Sequence, residues 1–250
     1  MSSIFFNHGE SNMSAHLPLS FPRPLVAVDV VIFSIQDDQL KVLLVRRKVG
    51  DDALLSRQWT LVGGFVNVDM DENLEATALR KLKEKTGVTS PYLEQLGSWG
   101  GKHRDPRGWS TTHVYFALIP SSNLAPPQHG GNAEDAQWVK VEGHGVTLSL
   151  AFDHGEILEA ALNRLRNKVE YTSLPAYLMP ETFTMAELQR CYEIVLGRKL
   201  EKSAFRTRIL STELIEPVDA FKLGSNRPAQ LYRLRNLQSP VYFARTFNPV

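Results

Sequence analysis

The spacing of apolar residues changes character along this chain, and each change marks a different kind of element. Residues 25–33 (Leu-Val-Ala-Val-Asp-Val-Val-Ile-Phe) are β-branched and apolar, which predicts a buried strand. Asp37 and Asp38 make a turn, and residues 40–46 return as the hairpin partner. Further short strands are predicted over 59–62, 92–99, 111–119 and 136–141. Between the third and fourth of these six strands, Leu74, Ala78, Leu79 and Leu82 recur at helical spacing. That helix is expected to begin near Asp71 or Glu72 and to stop at Gly87, a residue suited to a left-handed cap. The economical assembly is a mixed sheet with one helix packed on it.

Near residue 150 the pattern turns helical. Asp153 with Glu156 forms a capping-box signature, followed by Ile157, Leu158, Ala161, Leu162, Leu165 and Val169 on one face. Thr184 with Glu187 repeats the signature for a helix that Gly197 terminates. After a short turn, Ser203 is placed to cap a third helix running to Leu210. Strands over 218–223 and 230–234 flank Gly-Ser-Asn-Arg-Pro, which reads as a hairpin tip. Three segments result: a loose arm over residues 1–20, a sheet domain over 21–150 and a helical domain over 151–250.

Composition alters this picture in one place. Overall charge is nearly balanced, but residues 197–250 hold 10 Lys and Arg against 4 Asp and Glu. Cys191 is the single cysteine, so an internal disulfide and a thiolate metal cluster are both excluded. No Lys or Arg precedes Arg23 and no long apolar run occurs, so neither a signal peptide nor a membrane span is predicted; a cytoplasmic location is expected.

Candidate chemistry is concentrated in residues 63–88. Gly63, Gly64 and Phe65 follow an apolar strand, then comes an acidic loop, then the helix, an arrangement that holds a polyphosphate. The helix positions able to face such a group are Lys81, Glu84 and Lys85, two cations and one carboxylate. Lysines bind phosphate directly as point charges, whereas this set opposes a hard divalent cation. Lys81 and Lys85 read equally well as solvated helix charges. A second cluster, Arg104, Asp105, Arg107 and Trp109, lies in a Pro/Gly turn. Its guanidiniums suit phosphate, its carboxylate a ribose and its indole a base, against the plainer reading of an exposed turn with an ion pair. Arg46, Arg47 and Trp59 are secondary ligand candidates at strand ends.

The order helix, helix, turn, basic helix, hairpin over residues 154–235 matches a winged helix-turn-helix. Lys199, Lys202, Ser203, Arg206 and Arg208 then occupy the turn and recognition helix, with Arg227 and Gln230 on the wing. Arg206 or Arg208 is assigned to guanine edges, Lys199 and Lys202 to phosphates.

Residues 63–88 resemble the Nudix box, in which a glycine loop leads to an Arg-Glu-aliphatic-x-Glu-Glu-x-Gly helix. Here that helix reads Arg80, Lys81, Leu82, Lys83, Glu84, Lys85, Thr86, Gly87, with Glu72 at the upstream glutamate and a loop two residues longer than the family pattern. In the family three glutamates bind the divalent cations that activate water, so the substitutions imply binding without hydrolysis. The loop at 104–109 is similar to one in ADP-ribose-type Nudix domains. Together with Leu196-Gly-Arg-Lys-Leu, Phe205-Arg-Thr-Arg and Arg227-Pro-Ala-Gln-Leu-Tyr-Arg, the chain resembles the Nudix-related transcriptional regulators, the NrtR family, over about residues 20–236.

The resemblance implies an α/β (α+β) Nudix-like mixed sheet with flanking helices plus a C-terminal α+β winged-helix domain. It further implies a homodimeric repressor of NAD-metabolism genes on a palindromic operator in double-stranded DNA, needing no cofactor and released by ADP-ribose as effector. Two alternatives stand beside it. One is a metal-dependent ADP-ribose pyrophosphatase using Glu84 and Glu72; the other is an interaction module whose basic tail binds RNA or an acidic protein.

Overall fold

The computed structural model describes residues 22–48, 56–89, 92–126, 133–223, 228–235 and 239–243. The expected N-terminal arm, the tip of the hairpin and Arg227 lie outside these residues. Strand β1 (Leu25–Gln36) is central to the first sheet. Strand β2 (Gln39–Arg47) folds back on it across Asp37 and Asp38, whose φ values of 53° and 57° are those of a turn matched to strand twist. β3 (Trp59–Thr60) pairs antiparallel with the end of β2, and β4 (Val62–Phe65) pairs antiparallel with the first half of β1. After helix α1 (Leu74–Thr86), β5 (Tyr92–Gly101) and β6 (Ser110–Leu118) form a hairpin whose second strand runs parallel to β1. β7 (Ala133–Lys140) closes the sheet against β2.

Side chains of β1 alternate between two cores, as a pleated strand requires. Val28, Val30 and Ile32 pack toward Ala78 and Leu82 of α1. Val31 and Phe33 pack toward the other face, covered by α2 (His154–Val169) through Ile157, Leu158, Leu162 and Leu165. Sequence spacing places one helix on this sheet; a central strand apolar on both faces needs two. α2 supplies the second cover and also packs on the helices that follow it.

Beyond a 3-10 turn at Leu174–Leu178, β8 (Phe183–Thr184) leads into α3 (Met185–Leu196), then α4 (Lys202–Leu210) and the hairpin of β9 (Ile215–Lys222) with β10 (Ala229–Leu234). β8, β10 and β9 form a small three-stranded sheet. This is the winged helix expected from sequence, and the capping box of Thr184 with Glu187 is present, as is the left-handed cap at Gly197 (φ 70°).

Two predicted helix starts and one predicted cap differ, each because a stronger partner takes the side chain. α1 begins at Leu74 with Asn73 accepting from the Ala76 N–H at 2.9 Å, because Asp71 is drawn away by Arg80. Asp153 makes no capping hydrogen bond to α2; its carboxylate is held by Arg104. α4 is capped by Glu201, whose oxygens accept from the Ser203 and Ala204 N–H groups, so Ser203 lies inside the helix. No helix among the described residues is long and apolar enough to cross a membrane.

Candidate functional site

A cleft of about 1000 Å³ opens where β1, β4, α1, the 104–107 turn and the start of α2 converge. Its floor is the Gly63–Gly64 step. A Cβ on Gly63 would lie 2.0 Å from Oδ1 of Asp29 and 2.7 Å from the Val28 carbonyl, so the absence of a side chain lets the Asp29 carboxylate sit against the strand. Over Gly64 lies the Lys81 side chain, whose Cε would be 3.0 Å from an added Cβ.

Among the described residues, six cations line the cleft: Arg47, Arg80, Lys81, Lys85, Arg104 and Arg107. Of the described carboxylates, only Asp29 and Glu84 line it with them. Glu84 is engaged on both oxygens, accepting from Arg80 Nη1 at 3.0 Å and from Lys81 Nζ at 3.2 Å. Burial, the first cause, lowers the pKa of Lys85, partly offset by Glu84 and reinforced by Lys81 and Lys48. A divalent cation needs several carboxylate oxygens, and Lys81, Glu84 and Lys85 do not fit one. Among the described residues no cluster of three or more His, Cys, Asp or Glu side chains is disposed to hold a metal.

The loop entering α1 is fixed by a buried carboxylate. Asp71 accepts from Arg80 Nε at 2.7 Å and Nη2 at 2.6 Å, from the Asn67 N–H at 2.8 Å and from the Thr77 hydroxyl at 2.9 Å. The Arg80 hydrogen bonds hold its carboxyl well below the usual range. The upstream acidic residue in contact with the helix is therefore Asp71; Glu72 is exposed and outside the cleft.

Of the other expected ligand residues, Arg47, Gly63, Gly64, Phe65, Arg104 and Arg107 are brought together here. Arg107 lies over the Phe65 ring at 4.9 Å, and Arg47 over Phe152 at 5.7 Å, so an Arg–aromatic pair stands at each of two places on the wall. Four others are not brought in. Arg46 ion-pairs with Glu134 at 2.9 Å and covers Trp59 outside the cleft. Asp105 is buried, and the Arg107 Nε, Nη2 and N–H groups occupy its oxygens at 2.6–2.9 Å, so it fixes the turn instead of meeting a ribose. Trp109 is half-exposed beyond the cleft, packed on Gly100.

Sequence reasoning missed Asp29, His154 and Phe152. His154, the first residue of α2, accepts the Leu61 N–H on Nδ1 at 3.0 Å, which leaves the ring proton on Nε2, 3.5 Å from Asp29 Oδ2. Thr112 donates to the same Asp29 oxygen at 2.8 Å. Burial raises the Asp29 pKa, but His154, Thr112 and Arg104 outweigh it and hold the carboxyl below its usual range. A lone carboxylate amid an apolar strand was the available signal; nothing in the local sequence marks His154.

A second surface is presented by the winged helix. On α4, Phe205 and Ile209 are buried, which turns Lys202, Ser203 and Arg206 outward. The turn before it is fixed by Glu193, which accepts from Lys199 Nζ (2.8 Å), the Leu200 N–H (3.0 Å) and Gln189 Nε2 (3.2 Å). Lys199 foremost brings its carboxyl down to about 2. Two expected DNA contacts are engaged within the domain itself, Arg208 although it is exposed. Arg208 donates to the Glu170 carbonyl at 2.8 Å and lies over Phe243, and Gln230 donates to the Val218 carbonyl at 2.6 Å inside the hairpin.

A Nudix-type sheet carrying a cationic cleft, joined by a shared helix to a winged helix, defines a two-domain class in which a nucleotide-site fold is fused to a DNA-binding fold. The NUDIX domain model matches residues 24–161, and the NrtR DNA-binding winged helix domain model matches 175–234. The chain belongs to the Nudix-related transcriptional regulator (NrtR) family. It is 46% identical to the ADPR responsive transcriptional repressor NtrR of Acinetobacter baylyi, over 92% of this chain and 90% of that protein. The structure of Shewanella oneidensis NrtR bound to a 27mer DNA superposes with a TM-score of 0.75 at 37% identity, covering 84% of this chain and 93% of that one. The Shewanella NrtR Nudix domain in complex with ADP ribose gives 0.51 at 39% identity, covering 61% and 95%.

Proposed function

We propose that this chain is a transcriptional repressor whose Nudix cleft binds ADP-ribose without cleaving it, and that the bound nucleotide releases operator DNA. The observation that carries this reading is the charge of the cleft: six cations, with Glu84 held between Arg80 and Lys81. Such a wall complements a diphosphate directly and, among the described residues, offers no carboxylate set for the metal that hydrolysis in this family uses. Lys81, Lys85, Arg104 and Arg107 grip the diphosphate, and the lining rings of Phe65 and Phe152 offer a stacking surface for its single flat group, the adenine. The DNA- and ADP-ribose-bound Shewanella relatives and the ADPR-responsive Acinetobacter repressor support the assignment of both ligands.

On DNA, Arg206 reads base edges while Lys199, Lys202, Ser203 and Arg227 meet the backbone. One small winged helix makes few specific contacts, so the working unit is a homodimer on a palindromic site, acting in the cytoplasm on genes of NAD metabolism. The Nudix domain extends into α2, which continues as the link to the winged helix. Calorimetric titration with ADP-ribose, followed by chromatography of the recovered ligand after incubation with Mg²⁺ or Mn²⁺, tests the reading. Saturable binding with ADP-ribose recovered intact is expected; stoichiometric conversion to AMP and ribose phosphate, lost in Glu84→Gln, would establish the pyrophosphatase instead.

A further inference from the structure

The start of α2 is held open by a residue of the cleft. Arg104 donates to Asp153 through Nε at 2.9 Å and Nη2 at 2.7 Å, and its Nη1 faces the Ser110 hydroxyl at 3.4 Å. Asp153 stands at the N-cap of α2 yet makes no capping hydrogen bond, and its backbone (φ −93°, ψ 17°) is far from the extended values of the capped starts at Asn73 (ψ 178°) and Thr184 (ψ 159°). The preceding residue, Phe152, lines the cleft with a left-handed backbone (φ 57°), a costly conformation for a bulky side chain.

At the far end, about 24 Å away for 16 residues, Glu170 closes α2. Its carboxylate accepts from Arg198, in the helix-turn-helix turn, at 3.1 Å, and its carbonyl from Arg208, on α4, at 2.8 Å. One helix is thus wired to the cleft at its first turn and to the DNA-reading element at its last.

We propose that Asp153 is the positioning residue that transmits ligand occupancy: it pairs with Arg104 when the cleft is empty, and caps the Gly155 and Glu156 amides when a diphosphate takes Arg104. The exchange satisfies both partners in both states. The ligand oxygens replace the carboxylate on the guanidinium, and the freed carboxylate meets the positive end of α2. Capping requires ψ of residue 153 to swing to extended values, which relaxes the constraint on Phe152 and re-aims α2, and with it Arg198 and Arg208. The inference rests on the nucleotide reading above.

The test uses the full chain, calorimetry with ADP-ribose and with inorganic pyrophosphate, and amide hydrogen exchange. Asp153→Asn keeps a competent cap but removes the charge that competes for Arg104, so both ligands are expected to bind about tenfold more tightly. Its DNA affinity without ligand is expected to fall toward that of the ligand-bound wild type. In the wild type, whose fold is not in question, ligand should slow exchange at Gly155 and Glu156. Unchanged exchange at those amides with ligand bound, or an unchanged Kd in Asp153→Asn, overturns the exchange. If pyrophosphate shows the tightening and ADP-ribose does not bind, the nucleotide reading fails and the exchange stands; if neither binds the wild type, both fail.

Discussion

Arg80 donates to Glu84 across one turn of α1 at 3.0 Å, and Lys81 holds the other oxygen of the same carboxylate at 3.2 Å. The one acidic side chain left on the Nudix helix face is thereby turned into a spacer between two cations. Removing its charge as Glu84→Gln frees both for a ligand. ADP-ribose is expected to bind about two- to fivefold more tightly, the yield of a partly exposed ion pair of up to about 1 kcal/mol. Calorimetry checks this, and a weakened Kd would show that Glu84 itself serves the ligand.

Lys85 gives the same cleft a pH signature. Its pKa lies below that of an exposed lysine, chiefly because burial disfavours the charged form. A bound diphosphate favours that form, so affinity is full below this lowered pKa and is lost as pH rises through it. Lys85→Arg should keep affinity to higher pH. An alkaline profile identical in the two proteins would remove Lys85 from the binding set.

The two floor glycines are expected to differ. Gly63→Ala drives a methyl into the Asp29 carboxylate and the Val28 carbonyl, both fixed, and should cost about 1–3 kcal/mol of stability. Gly64→Ala meets the movable end of Lys81 but puts a side chain on a backbone at φ 155°, so it should cost about 1–3 kcal/mol of stability and, unlike Gly63→Ala, also weaken ligand binding by displacing Lys81. Thermal unfolding with calorimetry on each variant separates the two.

Much of this was legible beforehand, and the failures share a cause. Local signals placed the strands, the two glycine-capped helices, the capping box of Thr184 with Glu187 and the wing strands. Contacts between residues far apart in sequence left no such trace. Asp153 reads as a helix cap until Arg104, 49 residues away, takes it; Asp105 reads as a ribose ligand until Arg107 closes on it. His154 meets Leu61 and Asp29 only once α2 covers the second face of the sheet. That Lys81 and Lys85 face one cleft was legible because it depends on helical spacing alone.

Among the exposed basic residues of α4, the partners each holds sort function from support: Arg208 is bound to the Glu170 carbonyl and Phe243. Arg206→Ala should relax base preference in a duplex selection, while Lys202→Ala weakens all sites alike and lowers the salt slope by about one. Arg208→Ala should instead destabilise the fold by about 1–2 kcal/mol through loss of its bond to the Glu170 carbonyl, leaving base preference intact. An altered base preference in Arg208→Ala would place it on the DNA after all.

Acid should loosen the helix-turn-helix through Glu193. Because Lys199 and the Leu200 and Gln189 donors bring its folded pKa down to about 2, its contribution to stability is present above its unfolded pKa and is lost as pH falls toward 2. Glu193→Gln should flatten that limb of the stability curve, read by denaturation between pH 5 and about 2. An unchanged limb would mean the turn is held by other groups.

The central claim is that one chain couples a filled cleft to release of DNA. Fluorescence anisotropy of a labelled palindromic duplex, selected with the full-length protein and titrated with ADP-ribose at fixed salt, measures that coupling directly. The account predicts that ADP-ribose weakens DNA binding at least tenfold, and by linkage that DNA weakens ADP-ribose binding by the same factor. Operator affinity that stays constant while calorimetry shows the cleft saturated would contradict it.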